Sequence, residues 1–459
     1  MAKHTLKKLN KDTVKKNTLR NTIKQLIVKK LDIDIYKKKF NGEVFTPMDI
    51  VNEMLDTLPS SVWKNPNLKW LDPANGIGNF PICCYFRLMD GLKNVIQDSK
   101  KRSKHIIEKM LYMVEVNTKN NLECRKLFKK IDSSAKPNII SSDFLKYKPG
   151  INFDIIMGNP PYNLSGSKSH GEKNSYVHFS LKALDLLKKD GYLLFIHPPG
   201  YRIPKKIKAT QVDLNAIYLS NKVHFIRMYD VPTILKLMKV MINLDYILLQ
   251  KKPGNTLTKI IGTNNQEYKV RLEPGIMVPN FGFSILDKLK KEAGEKGNLD
   301  ITSSSEHHHM RIKGNTDKSK KRYKNVHLIK KKGVKIYHSY KKHKHQNVPK
   351  LLINALGKPY ILDDSKGKYG FTQSQVCLKN LSEVDKVLVK SSLFQYVQYA
   401  TRITGNNLNT RMEVYLPKIG GSNKNEEQIY KTLSLSNTEI EEIKKYKLPS
   451  FTMTEMNEN

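Results

Sequence analysis

Between residues 41 and 255, short apolar runs of strand length alternate with longer segments of helical period, and this alternation restricts the chain more than any other feature. Strands covered on both faces read as near-continuous apolar runs, and a helix between successive runs is long enough to let them pair in parallel. The runs are Leu68–Leu71, Met110–Val114, Ile139–Ser142, Phe153–Met157, Tyr192–Ile196, Val223–Met228 and Ile242–Leu249. They predict an α/β domain: a doubly wound, seven-stranded, mainly parallel sheet. In such a sheet ligands bind beyond the carboxyl ends of the strands, so the polar residues that follow each run carry the functional information.

The 459 residues exceed what one hydrophobic core serves. Residues 1–40 place Lys between Leu19, Ile23, Leu26, Ile27 and Leu31, the pattern of a basic helical extension. The α/β domain follows over 41–255. A linker with one helix is expected over 256–300, where Pro274, Gly275, Pro279, Gly282 and Gly294 punctuate the pattern. Residues 301–430 form a basic, Tyr- and His-bearing second domain with β-like runs at Val326–Ile329 and Lys350–Ile353. A helix starting near Asn437, capped by Ser436, Asn437 or Thr438 and carrying Glu439, Glu441 and Glu442 in its first turn, and a tail frayed beyond Pro449, complete 431–459.

Lys and Arg number 81 against 42 Asp and Glu, a formal charge of +39 that points to a polyanionic partner, nucleic acid before any other. Drift toward A- and T-rich codons, which favours Lys, Asn and Ile, accounts for a diffuse excess but less well for clusters. Residues 1–40 hold 13 basic and 3 acidic side chains, and residues 301–350 hold 15 and 2. Cys83, Cys84, Cys124 and Cys377 show no pair at ligand spacing, as expected of a reducing, intracellular compartment. No stretch has the length of a membrane span, so a soluble protein is expected. His307, His308 and His309 have no second ligand cluster, so they read as a solvated loop, and no metal is expected.

The first run leads into Asp72-Pro73-Ala74-Asn75-Gly76-Ile77-Gly78-Asn79-Phe80, where Gly76 and Gly78 permit a tight turn and close approach to a ligand. The third glycine of the dinucleotide fingerprint is missing, which disfavours a pyrophosphate and leaves a cofactor with an amino-acid moiety. The second run ends at Glu115, an acceptor suited to both hydroxyls of a ribose. The third is followed by Asp143 and Phe144, a pair able to accept from an adenine amine and pack on its ring. Any one of these carboxylates also reads as the cap of the next helix. The fourth run ends in Gly158-Asn159-Pro160-Pro161-Tyr162. Two successive prolines fix φ and remove two donors, leaving the Asn159 side-chain oxygen and the Pro160 carbonyl as acceptors on a rigid frame beside an aromatic ring. That arrangement suits a planar amine that donates two hydrogens while its ring stacks on Tyr162.

With these motifs in this order the chain resembles the N6-adenine DNA methyltransferases of the gamma order, of the TaqI-like kind. Gly42-Glu43-Val44-Phe45-Thr46-Pro47 resembles that family's N-terminal cofactor motif, Asp72–Phe80 its glycine motif, and Asn159–Tyr162 its catalytic motif. Val177–Pro198 is similar to the stretch that follows catalysis. The resemblance implies a Rossmann-like methyltransferase fold and S-adenosyl-L-methionine as cofactor, held by Phe45, Thr46, Asp72, Ala74, Gly76, Gly78, Glu115, Asp143 and Phe144. It implies catalysis by Asn159, Pro160, Pro161 and Tyr162 on an adenine flipped out of duplex DNA. It also makes residues 301–430 a target-recognition domain. There Lys341, Lys342 and Lys344 are expected on phosphates, Arg311, Arg402, Arg411, Gln373 and Gln375 are the candidates for base edges, and Tyr369-Gly370-Phe371-Thr372 resembles a recurrent patch. Tyr229 is the aromatic nominated to hold the flipped base. Asn75 and Ile77 stand where the family usually carries a small Cys or Ser.

Forty residues precede the first motif, so the expectation is a stand-alone, monomeric enzyme with any cognate restriction nuclease on a separate chain. Two alternatives share part of the pattern. Methyltransferases acting on RNA or on a protein glutamine use the same Asn-Pro-Pro-Tyr turn without so large a basic domain, and a catalytically weak DNA-binding protein would follow if Asn75 and Ile77 had spoiled the cofactor site.

Overall fold

The structure, a computed structural model, describes residues 44–162, 175–205, 212–254, 256–303, 322–331, 333–355, 359–403, 410–419, 425–446 and 452–453, with scattered helical positions between 18 and 25. The rest of the basic extension expected over 1–40, and His307–His309, lie outside the described residues. The chain divides into two compact units, Met1–Val278 and Pro279–Asn459.

The first unit is α/β, built on one large, mainly parallel sheet. Its strands are β1 (Trp70–Asp72), β2 (Leu111–Glu115), β3 (Asn138–Ser141), β4 (Phe153–Gly158), β5 (Leu187–His197), β6 (Asn221–Tyr229), β7 (Leu244–Pro253), β8 (Leu257–Ile261) and β9 (Glu267–Arg271). They lie in the order β3-β2-β1-β4-β5-β7-β6-β8-β9. β1 pairs in parallel with both β2 and β4, so the winding reverses between β1 and β4 and opens a crevice there. β7 runs antiparallel to β5 and to β6, which returns β6 to the direction of β5. Every residue of β1 is buried, and Trp70 and Leu71 are fully enclosed. Helix Asn79–Gly91 is buried over nine positions, among them Phe80, Ile82, Cys84 and Phe86, so it is a core helix directly behind the glycine turn.

Two expectations need correction. The sheet has nine strands instead of seven, and the linker expected over 256–300 holds β8, β9 and helix Phe283–Lys296. The division between units falls at 278/279 instead of within a linker starting at 256. The signal for β9 was present as alternation, Glu267-Tyr268-Lys269-Val270-Arg271, whereas β8 buries Thr258 and Ile260 and exposes Leu257 and Lys259.

The second unit holds two sheets. One has five strands in the order β10 (Asp300–Ser303), β16 (Gln375–Lys379), β13 (Lys350–Asn354), β14 (Ile361–Asp364), β17 (Thr452–Met453), and the other orders β12 (Gly333–Ser339), β11 (Tyr323–Lys330), β15 (Gly370–Phe371). The runs read at Val326–Ile329 and Lys350–Ile353 fall in β11 and β13. β17 pairs in parallel with β14, so the backbone beyond Pro449 is not frayed throughout. Val326, Leu352, Tyr369, Phe371 and Cys377 share one core. The Tyr369–Thr372 patch therefore serves packing, and a side chain at Gly370 would run into Asn325 and His343. Lys350 and Asp364 form an ion pair of 2.6 Å between strands, with 0% and 2% of their side chains exposed.

Candidate active site

A cavity of about 550 Å³ opens at the reversal between β1 and β4, within the range of small-molecule sites. Its wall brings together Phe45, Thr46, Ala74, Gly76, Glu115, Asp143, Phe144, Asn159, Pro160, Pro161 and Tyr162, residues spread over more than a hundred positions of sequence. Asp72 and Gly78, also expected at the cofactor, do not line it.

Both act from behind. The buried Asp72 accepts from the Ala74 amide at 3.1 Å, and burial holds its carboxyl well above the usual range, with the charge of Glu115 adding to the rise. Gly78 has φ 101°, and a Cβ there would lie 2.7 Å from Cys124 Sγ, so the residue lets the turn close onto the helix behind β2. Gly76, at φ 52°, faces the Phe45 ring, which a Cβ would meet at 3.0 Å.

Glu115 Oε2 accepts from the Gly76 amide at 2.9 Å and Oε1 from Asn117 at 2.7 Å. The carboxylate thus shapes the glycine turn as well as facing the cavity. Asp143 caps the turn Phe144–Lys146 by accepting from Leu145 at 2.9 Å, so the cap reading holds here, and the residue also lines the cavity. Phe144 packs on Phe179 with centroids 5.1 Å apart and forms an apolar wall.

At the end of β4 the Asn159 amide is turned by its own hydrogen bond: Nδ2 donates to Val44 O at 3.0 Å. Asn79 makes the companion bond, Nδ2 to Thr46 O at 2.7 Å. The strip Val44–Thr46 is thereby tied to the glycine turn on one side and to Asn159 on the other. Four buried oxygens of the wall, Thr46 Oγ1, Asn75 Oδ1, Asn79 Oδ1 and Asn159 Oδ1, meet no hydrogen-bond partner of good geometry among the described residues. Buried polar atoms left in this way mark a site shaped for a polar ligand. Burial pushes the Tyr162 phenol up, and hydrogen bonding with the Asn159 amide opposes part of that rise.

Sequence reasoning missed Asn79, Asn120, Ser175 and Phe179 in the wall. Asn75, one of the two departures from the family pattern, faces the cavity, whereas Ile77 is buried in the core and leaves it untouched. Tyr229 does not line the cavity. Its ring is buried, its hydroxyl donates to Glu53 Oε2 at 3.0 Å, and the Arg227 guanidinium lies 4.9 Å from its centroid. At the end of β5, His197 is fully buried, stacked on Tyr176 at 4.9 Å, with Nε2 3.2 Å from the Tyr218 hydroxyl. Burial pushes its pKa down to about 4. In the second unit Lys341, Lys342, Lys344 and Gln373 are exposed. Gln375 is buried and donates to His327 O and Asn354 Oδ1, and Arg402 is half-buried over the Tyr399 ring, so neither is a free reader of base edges. Arg311 and the Arg411 side chain lie outside the described residues. Among the described residues no cluster of three or more His, Cys, Asp or Glu is arranged for a metal, and no helix is long and apolar enough to cross a membrane.

Residues 78–231 match the family model of the Eco57I restriction-modification methylase. That methylase segment begins at Gly78 and contains Glu115, Asp143 and the Asn159–Tyr162 turn. An uncharacterized adenine-specific methylase of Mycoplasma pneumoniae is 30% identical, over 36% of this chain and 56% of that protein. Modification methylase CviBIII of Paramecium bursaria Chlorella virus NC1A is 30% identical, over 35% of this chain and 39% of its own. The chain thus spans about half the length, or less, of these curated relatives. Among solved structures, a nuclease-deletion mutant of the Type ISP restriction-modification enzyme LlaGI, in complex with a DNA substrate mimic, superposes with a TM-score of 0.50 at 13% identity, over 86% of this chain and 46% of that one. At that identity the likeness concerns the fold alone.

Proposed function

We propose that this chain is a site-specific DNA methyltransferase that moves a methyl group from S-adenosyl-L-methionine to N6 of an adenine flipped out of duplex DNA. The observation that carries the reading is Asn159 Oδ1, held by the Val44 bond on a double-proline turn at the mouth of a cavity lined with acceptors. The methylase match and the adenine-specific relatives support the substrate class.

The wall fits the cofactor. Glu115 suits a ribose, Asp143 and Phe144 suit a purine, and Thr46, Asn75 and Asn79 offer oxygens to a charged amino-acid tail. When bound there, S-adenosyl-L-methionine supplies an electrophilic methyl group on a sulfonium. The chain's own contribution is positioning. Asn159 Oδ1 and the Pro160 carbonyl accept both hydrogens of the exocyclic amine, which draws its lone pair out of conjugation with the ring. The amine needs no general base during attack, because its proton can leave afterwards, so orientation and fixed dipoles carry the rate. A neutral amide suits this place, since a carboxylate would be an unpaired charge in a dry pocket. The Tyr162 ring offers stacking to the extruded base, worth roughly 1–3 kcal/mol on comparable aromatic platforms.

Lys341, Lys342 and Lys344 supply phosphate contacts in this reading, and residues 301–430 act as the target-recognition domain. The match to a restriction-modification methylase supports a role in methylating DNA alongside a cognate nuclease. The deciding experiment incubates the protein with labelled S-adenosyl-L-methionine and duplex DNA, RNA or protein extract. Label in the DNA adenine is expected, and label confined to RNA or protein overturns the reading. Asn159→Ala should lower transfer by roughly 10²–10³-fold, the scale seen when one fixed polar group is removed from an active site, while cofactor affinity measured by calorimetry stays nearly unchanged.

A further inference from the structure

Twelve large hydrophobic side chains are exposed among the described residues, and four of them, Leu235, Leu237, Met241 and Ile242, fall within eight positions of one another. They sit on helix Val231–Met238 and the loop after it, between β6 and β7, and Met241 is 76% exposed. Scattered apolar residues on a surface need no explanation, but four on one short helix and the loop that follows it are not scattered. The group is interleaved with two exposed cations, Lys236 and Lys239. Lys239 ends the helix in the left-handed conformation at φ 58°, which turns the chain abruptly and projects Met241 and Ile242 as a tip.

The topology places that tip at the working edge of the sheet. β4, β5 and β6 run in the same direction, so the chain leaving β6 at Tyr229 and entering β7 at Leu244 lies on the edge where β4 presents Asn159. From β4 through β5 and β7 to β6 is three strand steps, about 14 Å at 4.8 Å each. Apolar side chains that follow two lysines, on the same sheet edge as the proposed base pocket, have the composition of the wedges that proteins push between base steps.

We propose that Met241 and Ile242 form a wedge that enters the duplex beside the target adenine and stabilises its extruded state, with Lys236 and Lys239 on the flanking phosphates. This rests on the reading of the chain as a DNA adenine methyltransferase. The wedge acts on unpairing and unstacking, so its contribution shrinks when the target base is already unpaired.

The test uses the full chain and a duplex oligonucleotide bearing an adenine that the wild-type protein methylates. Met241→Ala/Ile242→Ala should lower kcat/KM roughly tenfold on the matched duplex, yet come within about twofold of wild type when the target adenine faces an abasic position. Val95→Ala, a truncation at another exposed site, should change neither. Equal loss on both substrates, or no loss on either, overturns the wedge. A double variant that shifts the sedimentation coefficient identifies the patch as a contact between copies of the chain and overturns it as well. Absence of methylation by the wild-type protein on any DNA sinks the functional reading itself, a result distinct from failure of the variants alone.

Discussion

Gly78 holds a left-handed backbone with Cys124 Sγ where a Cβ would point, so Gly78→Ala must keep that backbone and displace the cysteine. The change should lower the unfolding free energy by about 2 kcal/mol or more, measured by urea denaturation, and Cys124→Gly should restore only the packing part. The glycine was readable as a turn residue, but its close neighbour, a cysteine on another helix, was not. Asn159 is similar. It was identifiable because two prolines follow it and because an acceptor at that point suits an amine. Its orientation was hidden, since the Val44 carbonyl that fixes Nδ2 stands 115 positions away in sequence. His197 could not be assigned a state from sequence at all, because nothing in the chain announces that Tyr176 and Tyr218 enclose it. Its folded pKa of about 4 lies below the ordinary 6.5, so the unfolded chain binds its proton first as pH falls. Stability is therefore intact above pH 6.5 and lost progressively toward pH 4, by about 3 kcal/mol from this group. Unfolding of wild type and His197→Gln compared at pH 7 and pH 4.5 should show the smaller pH dependence in the variant.

At the scale of elements, all seven expected strands are present, displaced by up to five residues at their ends, because buried strands leave unbroken apolar runs. The C-terminal helix is present as read, Asn437–Lys444, with Ser436 and Glu439 closing a capping box. What escaped was the hairpin β8–β9. It is an edge element in which Leu-Thr-Lys-Ile-Ile does not alternate and only Glu-Tyr-Lys-Val-Arg is polar at every second position, and the nearby Pro253, Gly254 and Pro274 outweighed that alternation. The buried pair between β13 and β14 was equally invisible, since nothing in the sequence separates Lys350 from the exposed Lys341, Lys342 and Lys344. Lys350→Met leaves Asp364 enclosed without its cation, although Lys368 and Tyr369 amides still donate to it. Loss of about 3–5 kcal/mol is expected in thermal or urea unfolding, and a change below 1 kcal/mol would show that the two amides suffice.

For the whole molecule, the charge of +39 set the expected partner before any motif was considered, and the ordered motifs set the chemistry. Which of the residues nominated for recognition are exposed was not legible, because buried Gln375 and exposed Gln373 look alike in sequence. Replacing Lys341, Lys342 and Lys344 by Glu should weaken DNA binding and flatten the dependence of log K on log salt by roughly 2–3, about 0.9 for each phosphate that is no longer neutralised. An unchanged slope in binding titrations from 50 to 200 mM salt would place the phosphate-binding cations elsewhere. The strip Val44–Thr46 has a consequence of a different order. It is bonded to Asn79 beside the glycine turn and to Asn159 beside the double proline, and under the proposed function that gives donor and nucleic acid one mechanical support. Linkage then requires reciprocity: to whatever degree the donor firms the strip for the nucleic acid, the nucleic acid must return the same factor in affinity for the donor.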